Sequence, residues 1–178
     1  MVTERSERLI LDDVFVVDAD VHAHEQPDQM VAHTDPPWRD AVANAAKVPH
    51  RYLSIPGWST SPPYFLPGAG LPTARGKARE EIVWNAAQMR RELDALRIDV
   101  GVIFPDHFLK IAALPNPDYA AALARAYHRW IDELWVSEEN DLYGVVMAVP
   151  QDPADAAREI ARYARHPRFA GVYLPTCR

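Results

Sequence analysis

The chain has 178 residues, 48% of them hydrophobic, and a formal net charge of -6 with acidic and basic side chains interleaved. That composition supports one domain with a real core, and it argues against a disordered chain and against a basic nucleic-acid-binding surface. Apolar runs fall well short of the ~20 residues of a spanning helix, residues 1–13 lack the apolar stretch of a signal peptide, and the single cysteine, Cys177, allows neither an internal disulfide nor a zinc–cysteine cluster. The expectation is a cytoplasmic protein that binds a small molecule, with no nucleic-acid or membrane partner.

In chain order, residues 14–22 read as a strand. Val14, Phe15, Val16 and Val17 form the kind of apolar run found in strands buried on both faces, which predicts a position in the middle of a parallel sheet beside residues 100–104. Asp18, Asp20, His22 and His24 then share one parity, and a period of two projects them from one face. Residues 25–78 differ. Nine of the sixteen prolines lie between Pro27 and Pro72, so long regular elements are not expected beyond a short helix at about 38–46. The segment carries Trp38, Tyr52, Trp58, Tyr64 and Phe65. These aromatics favour an ordered lid or wall over the carboxyl rim near His22 and His107, with Trp58 a substrate-binding candidate; the alternative is a disordered linker.

A regular pattern follows. Ile82, Ala86, Met89, Leu93 and Leu96 step as the apolar stripe of a helix. A strand is expected at 100–104, ended by Pro105. Asn116 and Pro117 open a helix with Tyr119, Leu123, Ala126, Tyr127, Trp130 and Leu134 inward. Residues 142–149 form the next strand. Asp152 and Pro153 start a helix whose inward face is Ala156, Ala157, Ile160 and Ala164, and residues 169–174 form the last strand. Alternating strands and helices predict an α/β fold with parallel strands, either an open doubly wound sheet or a closed barrel. Four strands and three helices make half of a (β/α)8 TIM-type barrel, and an end straight after a strand favours a truncated barrel.

The chemistry is concentrated in Asp18-Ala19-Asp20-Val21-His22-Ala23-His24-Glu25. Residues two apart on a strand point the same way, so Asp20 with His22, or His22 with His24, offers two converging ligands to one divalent metal. The alternative is a polar strand end meeting solvent. Asp18, deeper in the strand, reads as structural. His107, three residues past the second strand, would share the rim and line the substrate pocket; the alternative is a loop histidine facing solvent. His33, His50, His128 and His166 have no partner pattern, although a positive charge on His166 suits a helix end. Gly68-Ala69-Gly70 lacks the third glycine and the preceding strand of a dinucleotide loop. Gly57-Trp58-Ser59-Thr60-Ser61 lacks the closing glycine of a nucleophile elbow.

Val17-Asp18-Ala19-Asp20-Val21-His22 resembles the opening strand of the amidohydrolase-related family that includes aminocarboxymuconate semialdehyde decarboxylase and γ-resorcylate decarboxylase. Leu93-Asp94-Ala95-Leu96-Arg97-Ile98-Asp99-Val100-Gly101-Val102 resembles its helix and second strand. Asn116-Pro117-Asp118 through Trp130 resembles its next helix, with Tyr127-His128-Arg129-Trp130 departing from the family's Asn-Asp-Trp. Val149-Pro150-Gln151-Asp152-Pro153 and Arg168-Phe169-Ala170-Gly171-Val172 also look like family segments. The likeness covers roughly residues 14–176. It implies that residues 1–178 are the N-terminal half of a metal-dependent barrel with a Pro-rich insertion at about 25–78. It also implies one divalent ion, zinc or manganese, held by Asp20 and His22 with His24 as a further candidate. The remaining ligands and the catalytic histidine would lie beyond Arg178, so no catalytic residue is assigned. The implied activity is nonoxidative decarboxylation of a small carboxylic acid. Alternatives are metal-assisted hydrolysis of an ester, lactone or amide, and a noncatalytic or oligomerising fragment.

Overall fold

The computed structural model describes residues 14–45 and 83–175. Four strands, β1 (Val17–Ala23), β2 (Val100–Pro105), β3 (Leu142–Met147) and β4 (Phe169–Tyr173), form one sheet in the order β1-β2-β3-β4. Every neighbouring pair is parallel. Parallel neighbours require crossovers, which here contain α3 (Ala86–Ala95), α4 (Pro117–Leu134) and α5 (Pro153–Tyr163). Two short helices, α1 (Pro27–His33) and α2 (Trp38–Ala45), precede α3, and a 3-10 helix spans His107–Ala113. The chain is therefore α/β with a parallel sheet, as its alternating pattern predicts. No helix among the described residues is long and apolar enough to cross a membrane.

The helix starts follow their side chains. Asn85, Asn116 and Asp152 each accept the backbone N–H three residues on, Gln88, Tyr119 and Asp155, which satisfies a donor the helix leaves open. Proline occupies the first position of α1, α4 and α5, where its missing N–H costs nothing. At the end of α3, Arg97 takes the left-handed conformation at φ 60°. Ile98 N–H then reaches Leu93 O at 2.8 Å and Arg97 N–H reaches Asp94 O at 3.0 Å, a Schellman closure.

α4 is the central helix. Tyr119, Leu123, Tyr127, Trp130 and Ile131 are buried in the main core with Ile103, Leu142 and Met147. Its Trp130 indole donates to Gln29 Oε1 of α1 at 2.6 Å, and Trp38 of α2 packs on Tyr119 with ring centroids 5.1 Å apart. These contacts bring α1 and α2 into the fold, so part of the proline-rich segment is helical, contrary to the expectation that only one short helix would form there.

Other expectations need correction. β1 pairs with β2 as predicted, but it is an outer strand of the described sheet and starts at Val17. Phe15 is 71% exposed and Val17 49% exposed, so the apolar run is not buried on both faces. The shared parity of Asp18, Asp20, His22 and His24 is broken by a register shift between Asp18 and Val21. Leu96 and Leu134 are exposed at helix ends, where the stripe runs past its neighbours. α5 is rotated relative to its expected face: Asp155, Glu159 and Tyr163 are buried, whereas Ala157 and Ala164 are exposed. The cause is electrostatic. Asp155 meets Arg125 at 2.9 Å, and Glu159 meets His128 at 2.8 Å, both on α4, and paired carboxylates can be buried where isolated ones cannot.

Candidate functional site

Parallel strands bring their carboxyl ends to one rim, and the first two strands place the polar residues there. His22 lies beside Phe104 in the β1–β2 ladder. Its Nδ1 is 2.8 Å from the Pro105 carbonyl oxygen. A carbonyl only accepts, so Nδ1 donates to it. Nε2 stands 3.3 Å from Asp20 Oδ1, with the His22 side chain 32% exposed and that of Asp20 85% exposed. Asp18 accepts the Asp20 N–H at 2.9 Å, a local contact that shapes the bulged strand.

The arrangement suits a divalent ion in two respects. A backbone carbonyl that fixes the tautomer of a histidine is the common outer support of a metal-binding imidazole. In addition, two ligand atoms each about 2.05 Å from a tetrahedral zinc lie about 3.3 Å apart. Asp20 and His22 are spaced as two such ligands would be, a separation that a direct histidine–carboxylate contact also has. Among the described residues no group of three or more His, Cys, Asp or Glu side chains converges as a metal set.

His24 turns elsewhere. Its Nδ1 is 2.5 Å from Asp106 Oδ2, and its ring lies 6.2 Å from that of Trp84. Glu25 is buried, and its Oε1 accepts the Asp106 N–H at 3.1 Å. Gln26 donates to the Trp84 carbonyl at 2.9 Å, and Gln88 Oε1 accepts the Trp84 N–H at 2.7 Å. The loop after β1, the residue after β2 and the approach to α3 are therefore tied together beside the Asp20–His22 pair. Burial and then the Glu25 carboxylate push the Tyr127 phenol well above its ordinary range, so it stays neutral behind this rim. His107 opens the 3-10 helix directly past β2; its side chain lies outside the described residues, as do Trp58 and the rest of segment 46–82.

Glu25 and Asp106 are rim residues that pattern reading did not single out. Position alone could have flagged Asp106, one residue past β2. The burial of Glu25 had no sequence signal. His50 lies outside the described residues, and the other three histidines have partners in the fold. His33 meets Glu133 at 3.2 Å, His166 meets Asp132 at 3.0 Å, and His128 meets Glu159. On the rim's other flank the Tyr173 ring meets Phe104 edge-on at 5.9 Å, and its hydroxyl donates to the Leu109 carbonyl.

A cavity of about 700 Å³ lies at the opposite end, where the strands begin, and is lined by Phe15, Arg90, Asp99, Asp141 and Tyr143 among others. Its Arg90 is occupied with Asp94 and with the carbonyls of Ile98, Asp99 and Asn140. In parallel α/β folds the chemistry belongs at the carboxyl ends, and the Asp20–His22 rim is the candidate site. The chain matches no protein-family model and no curated protein sequence.

Proposed function

We propose that this chain carries the first-strand metal ligands of an amidohydrolase-related (β/α)8-barrel enzyme, and that the full site performs nonoxidative decarboxylation of a small carboxylic acid. The observation that carries the reading is the His22 imidazole, held by the Pro105 carbonyl so that its Nε2 faces Asp20 Oδ1 at 3.3 Å. The sequential strand order adds support, since a doubly wound sheet reverses its order at a switch point.

Asp20 and His22 would hold one divalent ion, zinc or manganese, with His24 nearby. When bound, the ion supplies Lewis acidity at a carboxylate or carbonyl oxygen of the substrate. With Nδ1 engaged by the Pro105 carbonyl, His22 would meet the ion through Nε2. The His24 ring is held by Asp106 and lies near Trp84, and Phe104 and Tyr173 offer an aromatic flank to the substrate. His107 and Trp58 remain the substrate-contact candidates.

The same two ligands would serve hydrolysis of an ester, lactone or amide. Assays of the metal-loaded protein on small aromatic and unsaturated carboxylic acids and on simple lactones separate the two. Release of carbon dioxide supports the decarboxylase; cleavage of lactones without it supports the hydrolase. A noncatalytic, self-associating chain is the second reading. It is favoured by Phe15 and Val17 at one outer strand and by Val172 and Leu174 at the other, all exposed, since outer strands invite pairing. Sedimentation analysis giving a stable dimer, with neither activity present, would support it.

A further inference from the structure

The centre of the α4–α5–β3 packing contains a titratable side chain that the rim does not use. His128 is fully buried. Its Nδ1 is 2.8 Å from Glu159 Oε2, and its Nε2 is 2.8 Å from the Met147 backbone nitrogen. A carboxylate only accepts and an amide N–H only donates. One form of the ring satisfies both: the neutral imidazole with its proton on Nδ1 and its lone pair on Nε2.

We propose that His128 is an acid-released clasp: neutral, it ties the carboxyl end of β3 to α4 and α5, and protonated, it lets the Met147 amide go. A second proton would set an Nε2–H against the Met147 N–H. The bond would be lost, and a positive charge would stand in the core.

The surroundings determine how strongly this is resisted. From α5, Glu159 and Asp155 favour the charged ring, but Arg162 and Arg158 pair with these carboxylates, as does Arg125 of α4 with Asp155. The Tyr163 and Tyr127 rings close in edge-on at 5.4 and 6.0 Å. Past α5, His166 is paired with Asp132 of α4. Burial is the largest influence and holds the His128 imidazole below its ordinary range; the Glu159 contact and Asp155 oppose it, whereas the Met147 N–H, which donates to the neutral ring, works in the same direction as burial.

The clasp acts on a strand end that leads to the rim. Met147 pairs with Tyr173 in the β3–β4 ladder, Tyr173 meets Phe104, and Phe104 lies beside His22. Release therefore loosens the flank of the rim. None of this depends on a metal at Asp20 and His22.

Amide hydrogen exchange and histidine carbon chemical shifts, followed by NMR on the whole chain from about pH 7.5 to about pH 4.5, test the clasp. At neutral pH His128 should show the Nδ1–H form. The protection factor of Met147 should then fall by about tenfold per pH unit once opening takes up a proton, with Gly144 unchanged. In His128→Gln, whose amide donates and accepts without titrating, Met147 protection should be flat with pH. Should that variant fail to fold, Glu159→Gln keeps the acceptor but removes the charge that favours imidazolium, and the fall should move to lower pH. A pH-independent Met147 in the parent, the same fall in His128→Gln, or an unmoved onset in Glu159→Gln would each overturn the proposal.

Discussion

The Gly144 backbone lies directly beneath Ile131: a methyl group on its α-carbon would stand 2.6 Å from Ile131 Cγ2. Ile131 is fully buried and β-branched, so it has little room to yield. The same relation recurs one strand over, where a methyl on Gly101 would come 2.7 Å from Leu93 Cδ1 of α3. Glycine on a strand thus sets how closely α3 and α4 approach the sheet. Gly144→Ala should destabilise the protein by about 1–3 kcal/mol through overpacking. Gly101→Ala should destabilise as well, since its methyl would also come within 3.1 Å of Leu142 Cδ2 and 3.3 Å of Val21 Cγ2. Urea unfolding of the two variants checks the sign; a neutral Gly144→Ala would mean that α4 can shift outward freely.

His22→Ala should abolish zinc binding in calorimetric titration, and Asp20→Asn should weaken it. Two converging groups predict weak binding by this chain, since catalytic zinc normally takes three protein ligands. Binding should weaken further on acidification, because a protonated imidazole cannot ligate. Equal affinity in the parent and His22→Ala would remove the assignment. Tight binding would point to an additional ligand, with His24 and His107 the first to substitute.

The His128–Glu159 pair predicts how global stability depends on pH. His128 is held below the ordinary 6.5, first by burial, so the unfolded chain binds its proton more readily. Its contribution is present above about pH 6.5 and is lost as pH falls from there toward the lower folded value. Burial raises the Glu159 carboxyl, but its hydrogen bond with His128 and its charged neighbours outweigh this and hold it below its ordinary value of 4.5. That contribution is lost at lower pH, below about 4.5. Thermal melts should therefore decline in two stages on acidification, and His128→Gln should lack the first. A parent melt that is flat from pH 7 to about pH 5 would contradict this.

His128→Ala should cost about 2–4 kcal/mol, because it leaves both the Glu159 carboxylate and the Met147 N–H buried without their partner. Asp152→Ala removes one part-buried cap bond to Asp155 N–H and should cost about 1 kcal/mol. Chemical denaturation of the two variants compares them directly. An equal cost would show that the buried pair contributes no more than a helix cap.

Local rules made much of this protein legible from its residues alone. Caps at Asn116 and Asp152, prolines at first helical positions and period-matched apolar residues gave the element order and the parallel α/β class, because each acts within a few residues of itself. Asp20 and His22 could be paired on paper because a strand repeats every two residues. What only the tertiary structure decided involves groups far apart in sequence. Whether the Val14–Val17 run is covered depends on which strand lies beyond β1, and here Phe15 and Val17 face solvent. The face of α5 that turns inward was decided by Arg125 and His128 on α4, since a carboxylate is buried only where an opposite charge or a donor meets it. Likewise the Pro105 carbonyl, 83 residues from His22, engages the Nδ1 side of the ring, and no spacing rule within β1 contains that information.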